Sequence, residues 1–165
     1  MDLKSMTLQE MQEYMESIGE KKFRAKQIYE WFHKYLALSL DEMNNVPKKL
    51  KEKIEQTQEI YGVKPVDCFI SKIDGTRKYL FELYDGNIIE SVLMKYKHGN
   101  SVCISSQAGC RMGCKFCAST LGGLDRNLTP SEMLSQIYYI QRDTEERVSN
   151  VVMMGTGEPM DNYDN

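Results

Sequence analysis

Three cysteines fall within eight residues of this chain, in the run Cys110-Arg111-Met112-Gly113-Cys114-Lys115-Phe116-Cys117, with the spacing Cys-x3-Cys-x2-Cys. Thiolates are the soft ligands that iron–sulfur clusters and zinc both accept. Three of them on one tight loop can hold three irons of a cubane cluster, which leaves the fourth iron open to a small molecule. Gly109 and Gly113 suit a backbone that must wrap closely around an inorganic core. The alternative is a zinc knuckle with Cys103 or His98 as fourth ligand. Zinc ribbons bring two separated Cys-x2-Cys pairs, whereas this chain has one compact triplet, so the spacing favours iron–sulfur.

Two other constellations could do chemistry. Gly155-Thr156-Gly157-Glu158-Pro159 follows an apolar run, Asn150–Met154, that reads as a strand. Ligands of parallel α/β folds bind at that end of a strand, where glycines admit a ligand to the backbone and Glu158 can accept hydrogen bonds from an ammonium group. The plain alternative is a turn with a solvated glutamate. Glu90 lies between Ile88-Ile89 and Val92-Leu93. Apolar company disfavours the charged form of a carboxylate and suits it to proton transfer. The plain alternative is a strand residue facing water.

The elements that must position these residues follow from period and punctuation. Thr7 with Glu10 forms a capping box, Leu8, Met11, Met15 and Ile18 recur at helical steps, and Gly19 stops the pattern. A second helix is expected over Phe23–Leu36 and a third from Pro47 to about Ile60, with Trp31 and Tyr35 packed in the core of a small bundle. The stretches Val66–Ile73, Arg77–Tyr84 and Asn87–Tyr96 read as three antiparallel strands. Asp74-Gly75 and Asp85-Gly86 between them suggest type I′ hairpin turns. Val102–Ser106 reads as a further strand, residues 107–127 as a Gly- and Cys-rich loop, and Thr129-Pro130-Ser131-Glu132 as a fully signalled start of a helix running to about Arg142. With Asn150–Met154 this makes one βαβ unit. A lone unit cannot cover both faces of a parallel sheet, so the chain is expected to be the opening of a longer α/β domain, with apolar surface left open on Val151–Met154 and on the 130–142 helix.

Composition excludes several classes. The 165 residues are 41% hydrophobic and 27% charged, which argues against disorder. No apolar run approaches the ~20 residues that span a membrane. Lys and Arg number 21 against 24 Asp and Glu, for a net charge of −3, so no polycationic segment announces nucleic acid. Five cysteines, an odd number, with a polar, amphipathic Met1–Glu16 in place of a basic-then-apolar leader, are unlike a secreted disulfide scaffold. A cytoplasmic protein is expected.

The words around the cysteines carry a resemblance. Ser105-Ser106-Gln107-Ala108-Gly109-Cys110 through Cys117-Ala118-Ser119-Thr120, then Asn127-Leu128 and Asn150 through Pro159, resemble the radical S-adenosylmethionine (SAM) enzymes. More narrowly they resemble the dual-specificity RNA adenine-C2 methyltransferases, the RlmN family. Gly19-Glu20-Lys21-Lys22-Phe23-Arg24-Ala25-Lys26-Gln27-Ile28 with Trp31 is similar to that family's helical accessory domain. The resemblance implies an α/β architecture in three parts: residues 1–62 as an RNA-binding-like helical domain, 63–98 as a β-meander linker, and 99–165 as the start of an incomplete radical SAM (β/α) barrel, truncated at its C-terminus. It implies that Cys110, Cys114 and Cys117 bind a 4Fe–4S cluster whose open iron chelates SAM. One electron from a donor such as flavodoxin then cleaves SAM to a 5′-deoxyadenosyl radical. Gly157 and Glu158 match the segment that holds the SAM amino group, and Glu90 matches the proton acceptor.

The implied substrates are one adenine in 23S rRNA and one beside the anticodon in certain tRNAs, methylated at C2 by a protein that is monomeric at full length. The family also uses a methyl-carrying cysteine near the C-terminus. Neither Cys68 nor Cys103 stands at that position, so this chain alone is expected to be inactive. Two rivals remain at this stage: the related Cfr-type adenine-C8 methyltransferases, and a non-catalytic zinc module that binds RNA.

Overall fold

The computed structural model describes residues 2–165, which form two compact units, one running to Tyr61 and the other from Gly62 to Asn165. The first unit is helical: α1 (Leu8–Ser17), α2 (Phe23–His33) and α3 (Lys48–Glu55). Thr7 and Glu10 close the expected capping box on α1, and Gly19 turns the chain out of it at φ +75°. Met11, Met15, Ala25, Ile28, Phe32, Leu50 and Ile54 form the core. Each large apolar side chain so buried contributes roughly 1.5–3 kcal/mol. Helix α2 ends three residues before the expected Leu36, which instead takes a left-handed φ of 57°. Trp31 packs against the core and donates Nε1–H to Asn45, but Tyr35 is exposed, contrary to its expected place in the core.

The second unit is built on a five-stranded sheet of order β1-β2-β3-β4-β7, with β1 (Lys64–Ile70), β2 (Arg77–Glu82), β3 (Ile88–Tyr96), β4 (Gly99–Cys103) and β7 (Val148–Val152). The first four pair antiparallel in sequence order, and β7 lies parallel to β4 after the crossover helix α4 (Pro130–Thr144). The mixed α/β architecture is therefore present. The boundary expected at residues 98–99 does not divide the sheet, because β3 pairs directly with β4 through Met94–Ser101 and Tyr96–Gly99.

The hairpins do form, but not with type I′ turns. Asp74 and Asp85 keep negative φ; only Gly75 and Gly86 are left-handed. Each aspartate instead accepts a hydrogen bond from the N–H two residues on, of Thr76 and Asn87, so the short carboxylate closes an Asx turn. Residues 107–127 are likewise more ordered than the loop that was expected. Strands β5 (Gln107–Gly109) and β6 (Leu124–Asn127) pair antiparallel and enclose the cysteine run.

Strand alternation gives the sheet two unlike faces. Tyr79, Phe81, Ile89, Leu93 and Val102 point to the α4 side and are buried with Met133 and Ile140 of that helix, and Tyr139 meets the rings of Tyr79 and Phe81 edge-on. Ile88, Glu90, Val92 and Met94 alternate onto the opposite, partly open face. The apolar surface expected to stay open on Val151–Met154 does so: Val151 is 45% and Met154 81% exposed, since no strand among the described residues pairs on the outer side of β7, which lies at the sheet's edge.

Candidate functional site

Three short segments meet at the C-terminal end of β4, on the partly open face of the sheet. A cleft of about 380 Å³ is lined by Leu80, Ile88 and Glu90 of the meander, by Gly109, Ala118 and Ser119 flanking the cysteines, and by Thr156 of the Gly-rich turn. The three constellations singled out in sequence, some 20 to 65 residues apart, thus contribute to one cavity.

The segment Ile104–Gln107 makes this meeting. Its backbone is stitched to the turn through Gly155 N–H to Ile104 O at 3.0 Å and through Ser106 N–H to Thr156 O at 3.0 Å. Ser105 Oγ donates to the Glu90 carbonyl at 2.7 Å and accepts from Thr156 N–H at 2.8 Å. The Gln136 amide of α4, fully buried, holds Ser105 from behind: its Oε1 accepts from Ser105 N–H and Ser91 Oγ–H, and its Nε2 donates to Ser105 O. Asn162 donates to the carbonyls of Ser106 and Leu128. Polar groups this deep are satisfied one by one, which fixes the geometry.

That packing gives the glycines a different reason from the one sequence suggested. A Cβ on Gly155 would lie 2.8 Å from Ile104 O, and one on Gly157, at φ +105°, would lie 2.6 Å from the Gln107 Cβ. Beside both glycines the backbone of Ile104–Gln107 fills the space, so their first requirement is the close approach of two protein segments. Glu158 reaches forward to cap Met160 N–H at 3.0 Å and is itself partly exposed.

Glu90 is not surrounded by apolar groups as its neighbours in sequence suggested. Across the β2–β3 ladder its side chain meets Lys78 Nζ at 2.5 Å, with both side chains close to half exposed. Cys103, on β4, is held protonated by its burial, opposed by a hydrogen bond from Met154 N–H and reinforced by the charge of Glu90.

In the cysteine loop Cys110 is buried, Cys117 half-buried and Cys114 exposed, and all are free thiols. Gly109 is indispensable to the loop's closure: at φ +74° its Cβ would collide with Gly123 O, the carbonyl that receives Cys110 N–H at 2.9 Å. Gly113, also left-handed at φ +69°, stands in open space. Phe116 is 95% exposed. Among the described residues no three His, Cys, Asp or Glu side chains converge into a ready ligand group, so the zinc site completed by Cys103 or His98 is not assembled either. The donor chemistry of the triplet, soft and unpaired on a glycine-bearing loop, still fits a thiolate-bound cluster.

Several contributors went unnoticed in the sequence. Arg126 of β6 forms two 2.8 Å bonds to the fully buried Glu132 carboxylate, pairs with Asp85 at the β2–β3 turn, and lies over the Tyr84 ring. Hydrogen bonding to Arg126 pulls the Asp85 carboxyl down to about 2, and Glu132 in turn raises the Arg126 guanidinium. Glu132 was legible only as the helix cap, which it also is. Arg111, beside Cys110, pairs with Asp161 below the turn and holds that carboxyl below the usual range.

With this geometry in place, comparison with known proteins is specific. Residues 1–60 match the family model described as the ribosomal RNA large subunit methyltransferase N-terminal domain. The chain is 62% identical over 164 residues to the "Probable dual-specificity RNA methyltransferase RlmN" of Lachnoclostridium phytofermentans, covering 99% of this chain and 46% of that protein. It is 63% identical to the protein of the same description from Lachnospira eligens, over 99% of this chain and 47% of that one. A crystal structure of a radical SAM methyltransferase from Sphaerobacter thermophilus superposes with a TM-score of 0.91 at 39% identity, over 99% of this chain and 49% of that chain. Over 99% of its length the chain is similar to these RlmN and radical SAM methyltransferases, and it spans about half the length of the curated relatives it matches.

Proposed function

We propose that this chain carries the cluster-binding and SAM-binding opening of an RNA methyltransferase, together with its helical accessory domain. The observation behind this reading is the shared cleft of Glu90, the cysteine-loop flanks and Thr156. Cys110, Cys114 and Cys117 are the residues that hold a 4Fe–4S cluster, and when bound the cluster supplies the electron that cleaves SAM. These thiols would supply the cluster's protein ligands from one loop, in which a Cβ at Gly113 would meet no neighbour.

The remaining work belongs to side chains. Glu158 accepts hydrogen bonds from the SAM ammonium group while Gly157 keeps the turn pressed on Gln107. Glu90, paired with Lys78, accepts the proton that the adenine carbon must lose before its new methyl group is complete. The substrate class is RNA, and the adenine C2 of 23S rRNA and of certain tRNAs is the specific target. A one-electron donor of the flavodoxin kind is the partner, and the site of action is the cytoplasm. Among the described residues no helix is long and apolar enough to cross a membrane.

Anaerobic reconstitution followed by iron and sulfide counting tests this reading. A broad absorption near ~400 nm with about four irons per chain is the expected result. In the gene product that contains this chain, reduced protein should release 5′-deoxyadenosine from SAM and transfer label from methyl-labelled SAM to RNA. One zinc per chain and no iron would reject the proposal.

A further inference from the structure

We infer that Gln107 is a positioning residue for SAM: its side chain sets the Gly157–Glu158 turn relative to the cysteine loop. The inference rests on the reading that this turn receives the SAM ammonium group.

Gln107 is fully buried as the first residue of β5, where an apolar side chain would ordinarily sit. Both ends of its amide are used. Oε1 accepts the Glu158 N–H at 2.8 Å; Nε2 donates to Asn127 Oδ1 at 2.8 Å and to Asp161 Oδ2 at 3.1 Å. Donors on one side and acceptors on the other fix which end is which. The backbone of Gln107 also donates to Thr156 O at 3.2 Å, and its Cβ fills the place that a Cβ on Gly157 would need.

This one side chain therefore joins three segments: the turn, the end of β6, and, through Asp161 and Arg111, the residue after Cys110. Backbone bonds from Ser106 and Gln107 already hold Thr156. What only the amide of Gln107 holds is the Glu158 N–H, the peptide plane from which the Glu158 carboxylate projects. Releasing it lets that plane rotate and moves the carboxylate relative to the thiols. A displacement of about 1 Å at a positioned group is enough to cost ~10²-fold in a reacting complex.

Two variants separate positioning from folding. Gln107→Met keeps length and packing and removes both amide functions. Gln107→Glu keeps the oxygen that Glu158 N–H needs and turns an oxygen, in place of the amide donor, toward Asn127 Oδ1 and the Asp161 carboxylate. Three readouts are taken on the iron-loaded chain: iron and sulfide content, SAM affinity by equilibrium dialysis, and hydrogen exchange at the Glu158 amide.

The expected result is unchanged iron in all three proteins. Gln107→Met should bind SAM ~10-fold more weakly, the equivalent of one lost hydrogen bond, with faster exchange at Glu158. Gln107→Glu should retain protection at Glu158 and bind SAM more tightly than Gln107→Met, because the oxygen that receives the Glu158 N–H is kept although the donor side now meets the Asp161 carboxylate. The inference is overturned if Gln107→Met binds SAM as the parent does, if it loses iron together with SAM, or if Gln107→Glu binds as weakly as Gln107→Met despite a protected amide. A parent that holds iron and shows no affinity for SAM overturns the underlying assignment of the turn, and the inference with it, and is recognised before any variant is compared.

Discussion

The Ser105 hydroxyl bridges Glu90 and Thr156: it donates to the Glu90 carbonyl at 2.7 Å and accepts from the Thr156 N–H at 2.8 Å. The strand that carries the candidate proton acceptor and the turn that carries the candidate SAM contacts are thereby set by one oxygen. Ser105 has no exposed surface, so water has no access from its side. Ser105→Ala should destabilise the second unit by about 1–3 kcal/mol, the range for leaving a buried donor unpaired. Urea unfolding measures it. A change within about 0.5 kcal/mol would mean that the turn finds another partner.

The thiols make a second prediction. Replacing Cys110, Cys114 or Cys117 singly by Ala should abolish iron uptake, because a cubane core does not keep three irons on two protein thiolates. Cys68→Ala and Cys103→Ala should leave uptake intact. Cys68 is exposed on β1, and Cys103 packs on β4 with its thiol held protonated chiefly by burial. Colorimetric iron and sulfide assays decide it. Loss of metal in Cys103→Ala with iron never incorporated would favour a four-ligand zinc site.

Much of this was legible in the sequence where signals are local. The capping boxes at Thr7–Glu10 and Thr129–Glu132 and the Asp-Gly hairpin positions depend on residues within a few places of each other. The cysteine spacing is local too. What sequence did not reveal depends on residues brought together over long separations. Lys78 reaches Glu90 only across a ladder, Gln136 reaches Ser105 over 31 positions, and Gln107 reaches Glu158 over 51. A buried Gln or Ser carries no sequence mark that separates it from an exposed one. The open apolar surface at Val151–Met154 was legible for a local reason: one βαβ unit supplies no further strand for the outer side of β7, which lies at the sheet's edge.

Glu90 supports a third prediction, in the gene product that contains this chain. Glu90→Gln keeps shape and hydrogen bonding and removes the titratable group. The change leaves Lys78 unpaired, but that ammonium is 47% exposed and its loss of a partner costs little. Cluster content and SAM cleavage should stay near the parent's, because they depend on the cysteines and on Glu158. RNA methylation should fall by ~10²–10⁴-fold, the usual contribution of a proton-transfer group. Parallel assays of 5′-deoxyadenosine and of methyl transfer to RNA separate the two steps. Methylation at the parent's rate would make Glu90 a half-exposed strand residue and nothing more.

The helical unit holds a test of pH dependence in Lys4. Its side chain is 1% exposed, with Nζ 5.8 Å from the centre of the Phe32 ring. Burial lowers its pKa from the ordinary 10.5 to about 8, and the nearby Asp2 carboxylate opposes the shift. Below pH 8 both the folded and unfolded chains carry the proton, and the folded form bears the full penalty of the buried charge. Between about pH 8 and 10.5 the unfolded chain binds more protons, so stability rises with pH through that window. The rise attributable to this group is on the order of 3 kcal/mol. Lys4→Met should be more stable than the parent at pH 7, and the difference should vanish toward pH 10.5. Asp2 stays satisfied in the variant by Ser5 Oγ and by the N–H groups of residue 4 and Tyr61. His33 supplies an independent signal: its pKa is lowered by burial and then by the Lys4 charge, so removing that charge should move its NMR titration upward. Denaturant unfolding of both proteins from pH 7 to 10.5 measures the first effect. A difference that stays constant across that range would show that Lys4 keeps its proton in the fold.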